Sequence, residues 1–160
     1  MYKWMLAGYG NGVFMIKKSA QQQIAPKTIG FNSADATFSK RDTIEFVGRL
    51  EPGHQDTINY GSLGRSIQFF NELGKDQIEE HLTNLKKKAK VAFEKLGLLH
   101  DSVVQRDDHS TIFNLKGDAD LFQKLKDNGI VCSLRGKGIR VSFHIYNTEE
   151  DLHKLVTILR

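Results

Sequence analysis

The strongest constraint in the sequence is one amphipathic stretch. Ile78, Leu82, Leu85, Ala89, Phe93 and Leu96 recur at spacings of three and four, which lines them along one face of a helix. Glu79, Glu80, Lys86, Lys87 and Lys90 take the other faces, and Gly97 stands where a glycine ends a helix. Such a stripe must be buried against another layer, and the residues that follow supply one. "STIFNLK" alternates as a strand, "DADLFQKLKDNG" is a short helix, "IVCSL" is a second strand, and the hairpin-like "RGKG" leads into a third, "IRVSFHIY". The last segment, "NTEEDLHKLVTIL", has Thr148 as N-cap and three acidic residues in its first turn, which suits the positive end of a helix dipole. The order helix, strand, helix, strand, strand, helix predicts a small α+β unit, an antiparallel sheet with helices on one face.

The first half is less regular. "GYGNG" followed by "VFMI" predicts a turn feeding a strand at 13–16, and the polar run over 19–42 predicts a long loop, a feature often functional in compact domains. "TIEFVGRLEPG" holds an extended segment near 44–50 that breaks at Pro52 and Gly53. From Asp56 to about Leu73 the pattern is helical, closed by Gly74. Two isolated extended segments make a marginal pairing in water, so the chain reads as lacking whatever covers them.

At 160 residues there is room for one core or two small units. The lone Cys132 excludes an internal disulfide framework, and no CxxC pair suggests zinc. That favours a reducing, cytoplasmic setting. No apolar run nears the roughly 20 residues that cross a bilayer, and no signal-peptide layout is visible, so no membrane partner is expected. The net charge of +4 draws much of its excess from "KKKAK" at 86–90. On a helix such a run reads as a solvated face rather than a nucleic-acid surface.

Several residues have the chemistry to form a site. The glycines of "GYGNG" follow the spacing GxGxG and precede a strand, whereas a phosphate cradle needs GxGxxG after a strand and before a helix. A tight turn is the better reading. Lys3, between Tyr2 and Trp4 in "YKWML", is either a solvated terminal lysine or a Schiff-base lysine, the latter needing apolar walls so that the free amine can attack a carbonyl. Strand alternation puts Arg140, Ser142 and His144 on one face and Val141, Phe143 and Ile145 on the other. Arg140 then suits bidentate capture of a carboxylate, or pairs at the surface with an acidic side chain. Cys132 reads as a buried, inert strand residue. His100 and His109 do not cluster at metal-ligand spacing, so no metal is expected.

Two of these motifs resemble one family. "YKWMLAGYGNGVFMIKK" is similar to the stretch around the cofactor lysine of class V aminotransferases, the pyridoxal 5′-phosphate enzymes that include cysteine desulfurases, kynureninase and isopenicillin N epimerase. "RVSFHIYNTEEDLHKL" resembles their closing motif, and "GRLEPGHQDTINYGSLGRSIQFF" looks like the connecting loop and helix. The resemblance implies that Lys3 binds the cofactor covalently and that Arg140 binds the substrate α-carboxylate. In "GHQD", His54, Gln55 and Asp56 replace the threonine, proline and asparagine usual in the loop that reaches the partner subunit's cofactor phosphate. His54 is the remaining phosphate donor there, and Asp56 opposes one unless directed away. The insertion that carries the sulfur-accepting cysteine of desulfurases is absent, so Cys132 is not that residue and desulfurase activity is disfavoured.

The resemblance further implies an α/β chain in three parts: 1–55 as the end of the large cofactor domain, 56–74 as a connecting helix, and 75–160 as the C-terminal small α+β domain. In the family the phosphate loop, the aromatic over the pyridine ring and the aspartate on its nitrogen all precede the lysine. The chain is therefore expected to be a C-terminal piece, inactive alone, whose parent is a homodimer acting on an amino acid. Transamination, racemisation and elimination stay open, as does a non-catalytic interaction or dimerisation module.

Overall fold

The computed structural model describes residues 1–27, 30–31 and 44–160. The chain divides into two compact units, Met1–Glu72 and Leu73–Arg160.

The second unit follows the expected order. Helix α4 (Lys75–Lys95) buries Leu82, Leu85, Ala89 and Phe93. It ends as glycine at 97 dictates: Gly97 takes φ 68°, its N–H donates to Glu94 O (2.8 Å), and Leu98 N–H donates to Phe93 O (3.0 Å), the Schellman arrangement that satisfies two orphan carbonyls. A short helix α5 (Asp101–Val104) occupies what the sequence presents as a polar connection. Strand β1 (Ile112–Lys116), helix α6 (Ala119–Asp127), strands β2 (Ser133–Arg135) and β3 (Gly138–Ser142) and helix α7 (Glu149–Leu159) complete the unit. The sheet is antiparallel in the order β1-β3-β2, with Asn114 and Ser133 both opposite Arg140.

Burial alternates along the strands because successive side chains point to opposite faces. Phe113 and Leu115 of β1 and Ile139 and Val141 of β3 face a core closed by Leu85, Ala89 and Phe93 of α4, Leu125 of α6, and Leu152 and Leu155 of α7. At its centre Phe93 meets Phe113 edge to face, with centroids 5.1 Å apart at 76°, and Phe143 edges onto Phe113 at 6.2 Å. The opposite sheet face carries Asn114, Lys116, Ser133, Arg140 and Ser142, none of them buried.

Two of the expected strands are shorter than their alternation suggests. The segment predicted at "IVCSL" pairs only from Ser133, because Ile130 N–H is already donated to Leu125 O (2.9 Å) in the C-terminal cap of α6. Cys132 therefore precedes the strand and is half-buried rather than buried. "IRVSFHIY" leaves the sheet after Ser142, where the Asn147 side chain accepts the His144 N–H (2.8 Å), so His144 does not share the strand face of Arg140.

Helix α7 begins in a capping box. Asp151 N–H donates to Thr148 Oγ1 (3.3 Å), and the Asp151 carboxylate accepts from Thr148 N–H (3.0 Å) and the Asn147 amide (3.2 Å). Those bonds, the Thr148 N–H first, lower the carboxyl below its ordinary 3.8. A lowered carboxyl contributes stability that is present above the unfolded pKa and lost as pH falls through the folded one. The first turn of α7 is therefore expected to loosen as pH drops from about 4, seen as faster amide exchange at Asp151 and Leu152. In D151N that acid-dependent loosening should be much reduced; an unchanged profile would remove the box as its cause.

The first unit departs further from expectation. Residues 13–16 form no strand among the described residues, and Val13, Phe14 and Met15 are exposed; a strand needs a partner ladder, and none is described beside them. The segment near 44–50 is a helix, α2 (Phe46–Leu50), begun by Arg49 N–H to Glu45 O (3.3 Å) and ended two residues before Pro52, which disfavours helical geometry just ahead of it. The expected loop opens with a single helical turn, α1 (Lys18–Gln21); its stretches 28–29 and 32–42 lie outside the described residues. Helix α3 (Thr57–Leu73) matches the expected range, and Gly74 follows at φ 84°.

Candidate functional site

Lys3 sits in a turn at the head of the first unit, with Met5 N–H donating to Met1 O (3.0 Å) and Leu6 N–H to Lys3 O (3.3 Å). What anchors this turn is a polar face of α3. Asp56 caps the helix, accepting the Asn59 N–H on Oδ1 (3.0 Å) and the Asn59 amide on Oδ2 (2.5 Å). One and two turns on, the Ser62 hydroxyl accepts the Gly8 N–H (2.8 Å) and the Ser66 hydroxyl donates to Met5 O. Buried Asn11 reaches across to Asn59 O (2.7 Å) and back to Gly8 O (3.3 Å). Gly8 belongs here for want of space: a Cβ would stand 2.2 Å from Asn59 Oδ1. The glycines thus do make a turn, and it docks on α3 rather than leading into a strand.

Asn11, Asn59, Ser62 and Ser66 hold the segment that carries Lys3, and sequence reasoning passed them over. Their signal is the spacing of Asn59, Ser62 and Ser66 along α3, a stripe of small polar residues at helical period. Asp56, which sequence alone leaves as a threat to a phosphate, is engaged as the cap, and the Asn59 bonds lower its carboxyl.

The walls expected around Lys3 are open. Tyr2 is 44% and Trp4 48% exposed, and Lys3 itself is exposed, its Nζ 5.5 Å from the Tyr2 ring centroid. Tyr2 in turn leans on Tyr9, centroids 5.0 Å apart. The terminal stretch is thus a surface of its own unit, although its sequence reads as interior. The Met1 ammonium donates to Asn11 O (3.1 Å), which distinguishes that amine from the Lys3 amine.

His54 is exposed and stacks on Phe31, centroids 6.1 Å apart at 11°. It shares no hydrogen bond or ring contact with Lys3 among the described residues. Gln55 turns back to Gly53 O (3.2 Å). These residues therefore fit one part of what pyridoxal phosphate needs, an accessible primary amine for its aldehyde. No set of donors converging on a phosphate is described with it.

Arg140 belongs to the second unit. It stands mid-strand in β3, half-exposed on the sheet face away from the core, flanked across the ladder by Asn114 and Ser133. Among the described residues no carboxylate lies within ion-pair distance of it. A guanidinium held mid-sheet between an amide and a hydroxyl can take a carboxylate in two parallel hydrogen bonds. Cys132 is half-buried, and that burial pushes its thiol up from 9.0, away from the thiolate form a nucleophile needs. No group of three metal-ligating side chains occurs among the described residues, and no helix described is long and apolar enough to cross a membrane.

The family model described as Aminotransferase class-V matches residues 2–155, a span that includes Lys3, His54 and Arg140. No curated protein and no solved structure matches the chain.

Proposed function

Because the chain belongs to the class V aminotransferase family, whose members generally act through pyridoxal 5′-phosphate, we propose that Lys3 is its cofactor-binding lysine and Arg140 its substrate-carboxylate anchor. The observation that carries this reading is a family match running over both residues in one chain. Bound there, pyridoxal phosphate supplies an electron sink for charge developing at the α-carbon of an amino acid. Lys3 would hold the cofactor through its amine and would serve as the base that moves the α-proton. Arg140 orients the α-carboxylate. His54 is the proposed phosphate donor. Transamination is the proposed outcome, and the reaction is proposed to need protein surface beyond these 160 residues, since water reaches the Lys3 amine in this unit.

Incubation with pyridoxal phosphate, borohydride reduction and peptide mapping tests the assignment. The adduct is expected on Lys3 in preference to the Met1 amine and the helix lysines, and to disappear in K3R. Label spread evenly over all amines would overturn it.

A second reading has its own support. Phe14 is 74%, Met15 89% and Ile58 84% exposed, so the first unit presents apolar side chains on both the 13–15 segment and α3. We propose that this surface serves association, in the parent a homodimer. Sedimentation over a hundredfold range of concentration is expected to show self-association that weakens in F14S/M15S; a monomer throughout would count against it.

A further inference from the structure

The lysine run at 86–90 is largely engaged within its own unit. Lys86 pairs with Asp108 at 2.5 Å, Lys88 pairs with Glu149, and Lys90 donates to Arg106 O. Lys87 is different. It opens, with Lys95, Arg160 and the Glu149-paired Lys88, onto a groove of about 460 Å³ between α4 and α7. The floor is apolar: Val91, Ala92 and Leu96 from α4 and Val156 from α7. Among the described residues no acidic side chain lines it, and none of Lys87, Lys95 and Arg160 has an ion-pair partner.

Spacing narrows what such a groove accepts. Lys87, Val91 and Lys95 follow one another at i, i+4 and i+8 and form a single ridge of α4. The two cations are therefore about 12 Å apart along the helix axis, with the half-exposed Val91 between them. The dipole at the C-terminal end of α4 accounts for a cation at Lys95, but not for Lys87 two turns upstream. A single-headed amphiphile would use one end of this arrangement and leave the other cation over apolar surface. An extended peptide rises about 3.3 Å per residue and presents alternate side chains to one face. Two acidic residues four apart, with an apolar residue midway, would span the two cations and set the apolar side chain on the floor.

We propose that the α4–α7 groove binds an acidic peptide segment of the pattern acid, any, apolar, any, acid, supplied by a protein partner. Charge complementarity fixes register, and the apolar floor excludes water from the central contact. The proposal is independent of the roles assigned to Lys3 and Arg140.

The test is fluorescence anisotropy of the 160-residue chain with fluorescein-labelled Gly-Glu-Ser-Leu-Ser-Glu amide. Saturable binding is expected, weakening at least tenfold between 50 and 500 mM salt and at least tenfold in K87E/K95E. Both positions are exposed, and the charge-swapped probe Gly-Lys-Ser-Leu-Ser-Lys amide should bind that variant better than the native chain, a gain that misfolding cannot produce. Replacing the probe's leucine with alanine should weaken binding several-fold. No saturable binding, or equal affinity for native chain and K87E/K95E, overturns the proposal. So does displacement of the probe by dodecanoate, or by phosphatidylserine vesicles that bind through the same lysines more tightly than the probe does.

Discussion

Phe93→Ala is expected to lower the unfolding free energy of the C-terminal unit by about 3–5 kcal/mol. Phe93 is completely buried, packs edge to face on Phe113 and lies 6.5 Å from Phe143 in a stacked arrangement. Truncation removes its transfer free energy and leaves a void bounded by a helix and two aromatic rings that cannot close in together. Natural domains hold roughly 5–15 kcal/mol in total, so one side chain carries about a fifth of the margin or more. Amide exchange in β1 and β3 measures it, because those strands open only when the core does. Phe93→Leu keeps most of the volume and should cost less than half as much. A loss under about 1 kcal/mol in the alanine variant would mean the aromatic cluster is not the centre of this core.

Gly138→Ala is the second large effect, and it couples the fold to Arg140. Gly138 opens β3 opposite Lys116 of β1. A Cβ there would stand 2.5 Å from the Leu115 carbonyl oxygen and 2.8 Å from Asn114 Oδ1. The amide could swing aside; the carbonyl is tied into the ladder and cannot move without parting the strands. The expected cost is about 1–3 kcal/mol, the range of core overpacking. The β1–β3 register beyond it should shift, displacing Arg140 relative to Asn114. Backbone chemical shifts of Asn114 and Arg140 report that displacement. Unchanged shifts together with unchanged stability would show that the strands absorb the methyl group freely.

Much of the C-terminal unit was legible in the sequence because its signals are local and redundant. The stripe from Leu82 to Phe93, the glycines at 74 and 97 and the Thr148 cap each specify conformation within a few residues, and each is found where the sequence puts it. Alternation placed Arg140 on the polar face of its strand and Val141 and Phe143 in the core. It failed at the strand ends, where side-chain and cap hydrogen bonds from Asn147 and Leu125 took groups the ladder would have used.

The first unit was legible as motif rather than as structure. Lys3 and its flanking aromatics suggested a family and a role, but whether Tyr2 and Trp4 wall in an amine depends on what packs against them, and no local pattern carries that information. The same holds for 13–16, apolar enough for a strand yet with no ladder to join among the described residues. The polar latch of Asn11, Asn59, Ser62 and Ser66 joins positions some 50 residues apart through groups that look like ordinary solvent-facing side chains.

By itself, then, the sequence determined what is set by near neighbours: the spans of the longer helices α3, α4, α6 and α7, the caps, the inward faces of the sheet, and a resemblance to one family around Lys3 and Arg140. Only the tertiary structure decided exposure and partnership: that the Lys3 amine is open to water, that Asp56 caps a helix, and that Lys87 has no ion-pair partner among the described residues while Lys86, Lys88 and Lys90 are engaged. Burial and pairing are properties of surfaces brought together from distant parts of the chain, and a chain read in order does not contain them.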